Sequence, residues 1–204
     1  MYLSLDVIRD YIVSHKIEKN LDINKPIKSL GILKIDKENN DQKWIIRMKG
    51  PQDSFYKKGV FSITIDFPKD FPDSKPEVRI LNKIYHNQVN NSNGHIDVLF
   101  ILNWDKSTSI TELLVGIYLF FIFPQNPDLP YSGIISRDYR FNQNIFIKKA
   151  EEYALKYAQS SKEDSLLEEI SNNEITINSL KEKINQLEKE IFFIKNENQK
   201  LKIN

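Results

Sequence analysis

The chain has 204 residues, enough for one ordinary domain and an extension, with 40% hydrophobic and 11% aromatic residues to build a core. A net charge of +1, from charges of mixed sign, offers no basic surface for nucleic acid. The absence of cysteine excludes a disulfide framework, a zinc–cysteine site and a thiol nucleophile.

The opening Met1-Tyr2-Leu3-Ser4-Leu5-Asp6 lacks the basic start and apolar run of an export signal. The longest apolar run, Leu113 to Phe123, has 11 residues and is too short to span a bilayer. The expectation is a cytoplasmic chain with no membrane span. Leu3, Val7, Ile8, Tyr11 and Ile12 recur at helical spacing and predict a first helix over 3–15. Residues 16–28, polar and holding Pro26, read as a loop.

Strand text follows. Ser29 to Ile35 alternates in part, the turn residues Lys37 to Asp41 lead to Lys43–Met48, and Gly50-Pro51 breaks that run. Val60 to Phe67 sets Phe61, Ile63 and Ile65 on one face, and Val78 and Ile80, reaching to Leu81, make a short fourth strand. Tyr85 to Asp105 is irregular, the text of either a functional loop or a disordered stretch. Helices are expected over 108–123 and 142–158, separated by the proline-rich Phe123 to Pro130.

After Ser160-Ser161 the composition changes, which predicts a core domain over 1–160 and a coiled coil over 161–204. Ile170, Ile177, Ile184, Ile191 and Asn198 occupy a positions; Leu166, Asn173, Leu180, Leu187, Ile194 and Leu201 occupy d. The candidate partner-binding seam is Ile170, Ile177, Leu180, Ile184, Leu187, Ile191, Ile194 and Leu201. Isoleucine at a with leucine at d favours two parallel strands. In that arrangement Lys183–Glu188, Glu190–Lys195 and Glu197–Lys202 attract and Glu169–Glu174 repels. Such a seam points to a homodimer or a heteromer, because a long apolar stripe needs a partner to cover it, or else to one amphipathic helix packed back on its own domain.

The central residues then fall into a familiar order. Trp44, Gly50-Pro51, Phe55-Tyr56-Lys57-Lys58-Gly59-Val60-Phe61, Phe67-Pro68-Lys69-Asp70-Phe71-Pro72, Lys75-Pro76-Glu77-Val78, Ile84-Tyr85-His86, Gly94-His95-Ile96, Trp104 and Asn126-Pro127-Asp128-Leu129-Pro130 resemble the ubiquitin-conjugating (UBC) family. The resemblance covers about residues 1–158. It implies an α+β UBC-like fold: a leading helix, a four-stranded antiparallel meander, an active-site loop and C-terminal helices, here followed by a coiled-coil helix.

Two departures bear on function. The resemblance implies a thioester-forming cysteine after Gly-x-Ile, and Asp97 stands there. A carboxylate lacks the thiolate's nucleophilicity, and its acyl anhydride would be lost to water. Where the family has His-Pro-Asn, this chain reads His86-Asn87-Gln88, and the loop onward to Asp97 is about one residue longer. The family's asparagine supports the reacting oxyanion; Gln88 is one methylene longer, and such support depends on fine placement. The degenerate site is thus Asp97, Gln88 and His86, with no catalytic residue, cofactor or metal expected. His86, His95 and Asp97 lack a fourth ligand of suitable spacing for zinc. His86 reads instead as a loop residue whose ring bonds backbone.

Gly94 followed by Ile96-Asp97-Val98, with the opening Tyr2-Leu3, is similar to the fused-toes (AKT-interacting) family of cysteine-less variants. That resemblance implies an adaptor for Hook-type coiled-coil proteins in microtubule-linked vesicle transport, with cytoskeletal association. The Asn126 to Pro130 stretch and the long coil depart from it. The expected function is a non-catalytic scaffold; the alternative is a ubiquitin-binding variant that assists an active conjugating enzyme or sorts ubiquitylated cargo.

Overall fold

The structure, a computed structural model, describes residues 3–96, 101, 103–123 and 133–201. It divides into two units, Met1–Asp164 and Ser165–Asn204.

In the first unit, helix α1 (Leu5–Ser14) begins where Ser4 Oγ accepts the Val7 N–H, and it turns Ile8 and Ile12 into the core. The strand expected from Ser29 starts later. Lys28–Leu30 forms a short 3-10 helix closed by Gly31 at φ +62°, a left-handed conformation that reverses the chain before β1 (Ile32–Glu38). Strands β2 (Lys43–Lys49), β3 (Val60–Asp66) and β4 (Glu77–Ile80) complete an antiparallel sheet in the order β1-β2-β3-β4. Asn39, Asn40 and Asp41 all take positive φ in the first turn, where their short polar side chains make that conformation tolerable.

The period-2 alternation puts Trp44, Ile46 and Met48 opposite Ile65, Ile63 and Phe61, with Ile63 and Ile65 in turn opposite Ile80 and Val78. All are buried. Leu81 lies past the end of β4 and is exposed.

Helix α2 (Ile110–Ile122) is apolar nearly all round because it is buried nearly all round. Its start is a capping box: Ser109 Oγ accepts the Glu112 N–H at 3.1 Å, and Glu112 accepts the Ser109 N–H at 2.6 Å. Arg9 of α1 adds an ion pair to Glu112 at 2.6 Å. Two further helices follow, α3 (Gly133–Phe141) and α4 (Gln143–Tyr157). The first of these was not expected from sequence. It carries a buried acid, Asp138, which accepts from Tyr85 Oη at 2.7 Å and from Lys149 of α4 at 2.8 Å. The Lys149 ammonium and the Tyr85 hydroxyl hold that carboxyl below the usual range.

Helix α5 (Lys162–Leu201) starts inside the first unit. Ser161 and Asp164 cap each other, with Asp164 N–H to Ser161 Oγ at 3.1 Å and Ser161 N–H to Asp164 Oδ2 at 2.7 Å. The buried Asp164 carboxylate also receives both arms of Arg47 from β2, and Arg47 donates onward to Ser62 Oγ of β3 at 2.6 Å. Burial alone would push the Asp164 carboxyl up; Arg47 and Ser161 outweigh it and hold it below the usual range. This fork ties the first turn of α5 to the sheet, and the first unit runs to Asp164.

Removing the guanidinium would leave Asp164 buried with only Ser161 to serve it. Arg47→Ala is therefore expected to cost about 3 kcal/mol of unfolding free energy. Urea titration followed by tryptophan fluorescence reads this cleanly, because the two tryptophans, Trp44 and Trp104, both belong to the first unit.

Candidate functional site

The segment that leaves β4 carries the residues singled out from sequence. His86 is fully buried, its ring stacked on Phe120 of α2 at 4.1 Å between centroids and tilted against Tyr56 at 5.6 Å. The Gln88 N–H reaches His86 Nδ1 at 3.1 Å. A backbone N–H can only donate, so Nδ1 accepts and the proton sits on Nε2, which faces Phe120 O at 3.4 Å. Burial drives the imidazole pKa down to about 3, and the Phe120 carbonyl offsets this only in part. The ring is neutral, locked by backbone on both nitrogens, and out of reach of any solvent-borne substrate.

Tyr56 braces the same segment. Its hydroxyl is fully buried and donates to Tyr85 O at 2.9 Å. Asn87 and Gln88 are buried as well. The structure thus brings His86 and Gln88 together through a backbone bond.

The chain then makes a narrow flap. Val89 bridges Ile96, Asn90 N–H donates to His95 O at 2.9 Å, and Gly94 N–H donates to Asn90 O at 2.8 Å. The flap adds to the outer edge of β4 through Ile80 N–H to Gly94 O at 2.9 Å and Ile96 N–H to Val78 O at 3.1 Å. Gly94 is required twice over: its φ is +74°, and a Cβ would lie 2.1 Å from Ile80 O. Asn90 and Asn93 fix the tip with side-chain bonds to the Ser92 and His95 N–H groups. Ile96 is fully buried. Asp97, the next residue, and Asn126 to Pro130 lie outside the described residues.

His95 goes to a different neighbour, with Nε2 3.6 Å from Glu77 Oε1, and Glu77 is also paired with Arg79 at 2.5 Å. His86 and His95 therefore do not converge. No group of three or more His, Cys, Asp or Glu able to hold a metal occurs among the described residues. Sequence reasoning missed Tyr56, Phe120 and the Tyr85–Asp138–Lys149 cluster, which together fix this segment; all act across long separations in the chain.

The seam residues Ile170, Ile177, Leu180, Ile184, Leu187, Ile191 and Ile194 lie along α5, each about half exposed. The side chain of Leu201 lies outside the described ones. Phe192 and Phe193, off the seam, are more exposed at 68% and 65%. No described helix is long and apolar enough to cross a membrane.

Comparison with known proteins agrees with this architecture. A family model described as ubiquitin-conjugating enzyme matches residues 16–154. The Dictyostelium discoideum protein "Ubiquitin conjugating enzyme E2 B" is 35% identical over 122 residues, which span 60% of this chain and 82% of that protein. A ubiquitin-conjugating-enzyme structure from Plasmodium yoelii superposes with TM-score 0.58 at 23% identity, covering 78% of this chain and 97% of its own. A Toxoplasma gondii ubiquitin-conjugating-enzyme E2 domain does so with TM-score 0.58 at 21% identity, covering 74% and 99%. With the sheet, the flap on β4 and the family model in agreement, the chain belongs to the ubiquitin-conjugating enzyme family.

Proposed function

We propose that this chain is a non-catalytic member of its family, a scaffold or adaptor that works through protein–protein contacts. One observation carries the reading: a family whose chemistry runs through a cysteine thioester is represented here by a chain with no cysteine. The site geometry supports it. His86 is buried with both ring nitrogens facing backbone groups, and Gln88 is buried with its backbone N–H given to His86 Nδ1, so the imidazole is not poised to activate a nucleophile. The long helix, with its uncovered apolar stripe, is the natural interaction element.

The fused-toes resemblance at Gly94 and Ile96-Asp97-Val98 extends this reading to a cytoplasmic adaptor of Hook-type partners in microtubule-linked vesicle transport. Kinship with proteins named for ubiquitin conjugation supports a second reading, a variant that binds ubiquitin without carrying it. Titrating isotope-labelled ubiquitin with the full chain separates the two. The scaffold reading expects no concentration-dependent shifts up to the millimolar range; saturable shifts would establish the ubiquitin-binding variant instead.

A further inference from the structure

We infer that the apolar stripe of α5 is covered by the same stripe of a second copy, running antiparallel, with the two-fold axis between Asn185 and Gln186. This rests on the reading of α5 as the interaction element of a scaffold. The stripe is open along the described helix, from Leu166 at 58% exposure through Ile184 at 54% to Ile194 at 56%. Charge decides what fits it, because residues flanking a helical seam set partner and orientation.

About that axis the core layers are Ile184 with Leu187, Leu180 with Ile191 and Ile177 with Ile194. In an antiparallel pair, flanking residues meet e to e and g to g. That matches Lys183 with Glu190, Glu174 with Lys195 and Lys181 with Glu188. Every charged pair is of opposite sign, and the two-fold makes each occur twice.

Other arrangements do worse. Moving the axis one half-heptad to residue 182 sets Lys181 and Lys183 against their own copies and Glu174 against Glu188. Moving it to residue 189 sets Glu188 and Glu190 against their own copies and Lys181 against Lys195. The parallel pair expected from isoleucine at a and leucine at d keeps Glu169 against Glu174 on both sides. Only the first arrangement has no repulsive charged pair. It also separates the Ser165 residues of the two copies by about 60 Å at 1.5 Å per residue, where a parallel pair would hold them roughly 10 Å apart. Two family-type domains would thus be carried at opposite ends of one rod.

The cysteine-free background makes the test direct. Ile177→Cys and Ile194→Cys are made singly in the full chain, mixed and oxidised, beside a solution mass measurement of the unaltered chain. A disulfide needs opposed positions. The expected result is a dimer mass, and a cross-link between Ile177→Cys and Ile194→Cys chains at least tenfold more abundant than either variant's link to itself. A monomer or a higher oligomer, self-linking of either variant, or a dimer that links in neither mode would overturn the inference. The scaffold reading fails by a separate route, a covalent ubiquitin adduct, so the two failures are distinguishable.

Discussion

Incubated with activating enzyme, ATP and ubiquitin, the full chain is expected to yield no covalent adduct, where a member of the family with its cysteine would charge within minutes. The effect is all or none. Holding ubiquitin as a reactive thioester requires a sulfur on the receiving chain, and this chain has none. Attack by Asp97 would form an acyl anhydride, a bond higher in energy than the thioester consumed and open to water. Asp97→Cys tests the rest of the site. Supplying sulfur should permit a reductant-sensitive adduct, yet its discharge to lysine is expected to be about 100- to 1,000-fold slower than in a family member with the His-Pro-Asn element, the loss typical of a missing oxyanion donor. Gln88 is 3% exposed and its N–H is committed to His86. Gel electrophoresis with and without reductant, followed by a lysine-discharge time course, reads both steps. An adduct on the unaltered chain would end the scaffold reading; rapid discharge by the variant would show that Gln88 is an adequate substitute.

The fold was legible in sequence wherever one local rule decided the matter. Strand β3 follows from strict alternation at Phe61, Ile63 and Ile65, and α2 from the apolar run Leu113 to Phe123. The rule failed where a distant partner set the structure. Helix α3 turns Asp138 inward with Ile135 and Ser136, so its buried face reads as polar; only Tyr85 and Lys149, from other elements, make that face stable. The late start of β1 has the same origin in reverse: Ser29 and Leu30 alternate like strand text, but the left-handed Gly31 fixes them as a turn.

The site divides along the same line. Chemistry that depends on residue type alone, the missing sulfur above all, is plain from the sequence. The environment of His86 is not, because it is made by Tyr56 and Phe120, 30 residues before and 34 after it. Those two aromatic rings turn a histidine of the family's motif segment into a core residue. They also give the protein a property that no motif announces.

That property is an acid sensitivity with a defined window. His86 titrates near 3 in the folded chain and near its ordinary 6.5 once unfolded. Between those values the unfolded chain binds one proton more, so stability is full above pH 6.5 and falls as the pH drops, by about 1.4 kcal/mol per unit. About 2 kcal/mol should be gone at pH 5. The depressed carboxyls of Asp138, Asp164 and Glu112 act lower, since their contributions fade only as pH falls through and below ordinary values of 3.8 to 4.5. The interval from pH 6.5 to 5 therefore isolates the histidine. His86→Gln keeps a donor and an acceptor near Phe120 O and the Gln88 N–H but has no proton to gain. Urea unfolding by tryptophan fluorescence at pH 7.5 and pH 5 should show the unaltered chain losing about 2 kcal/mol more than this variant over the interval. Equal losses would mean that His86 accepts a proton in the folded state, and hence that the ring leaves Phe120 and opens the segment in mild acid.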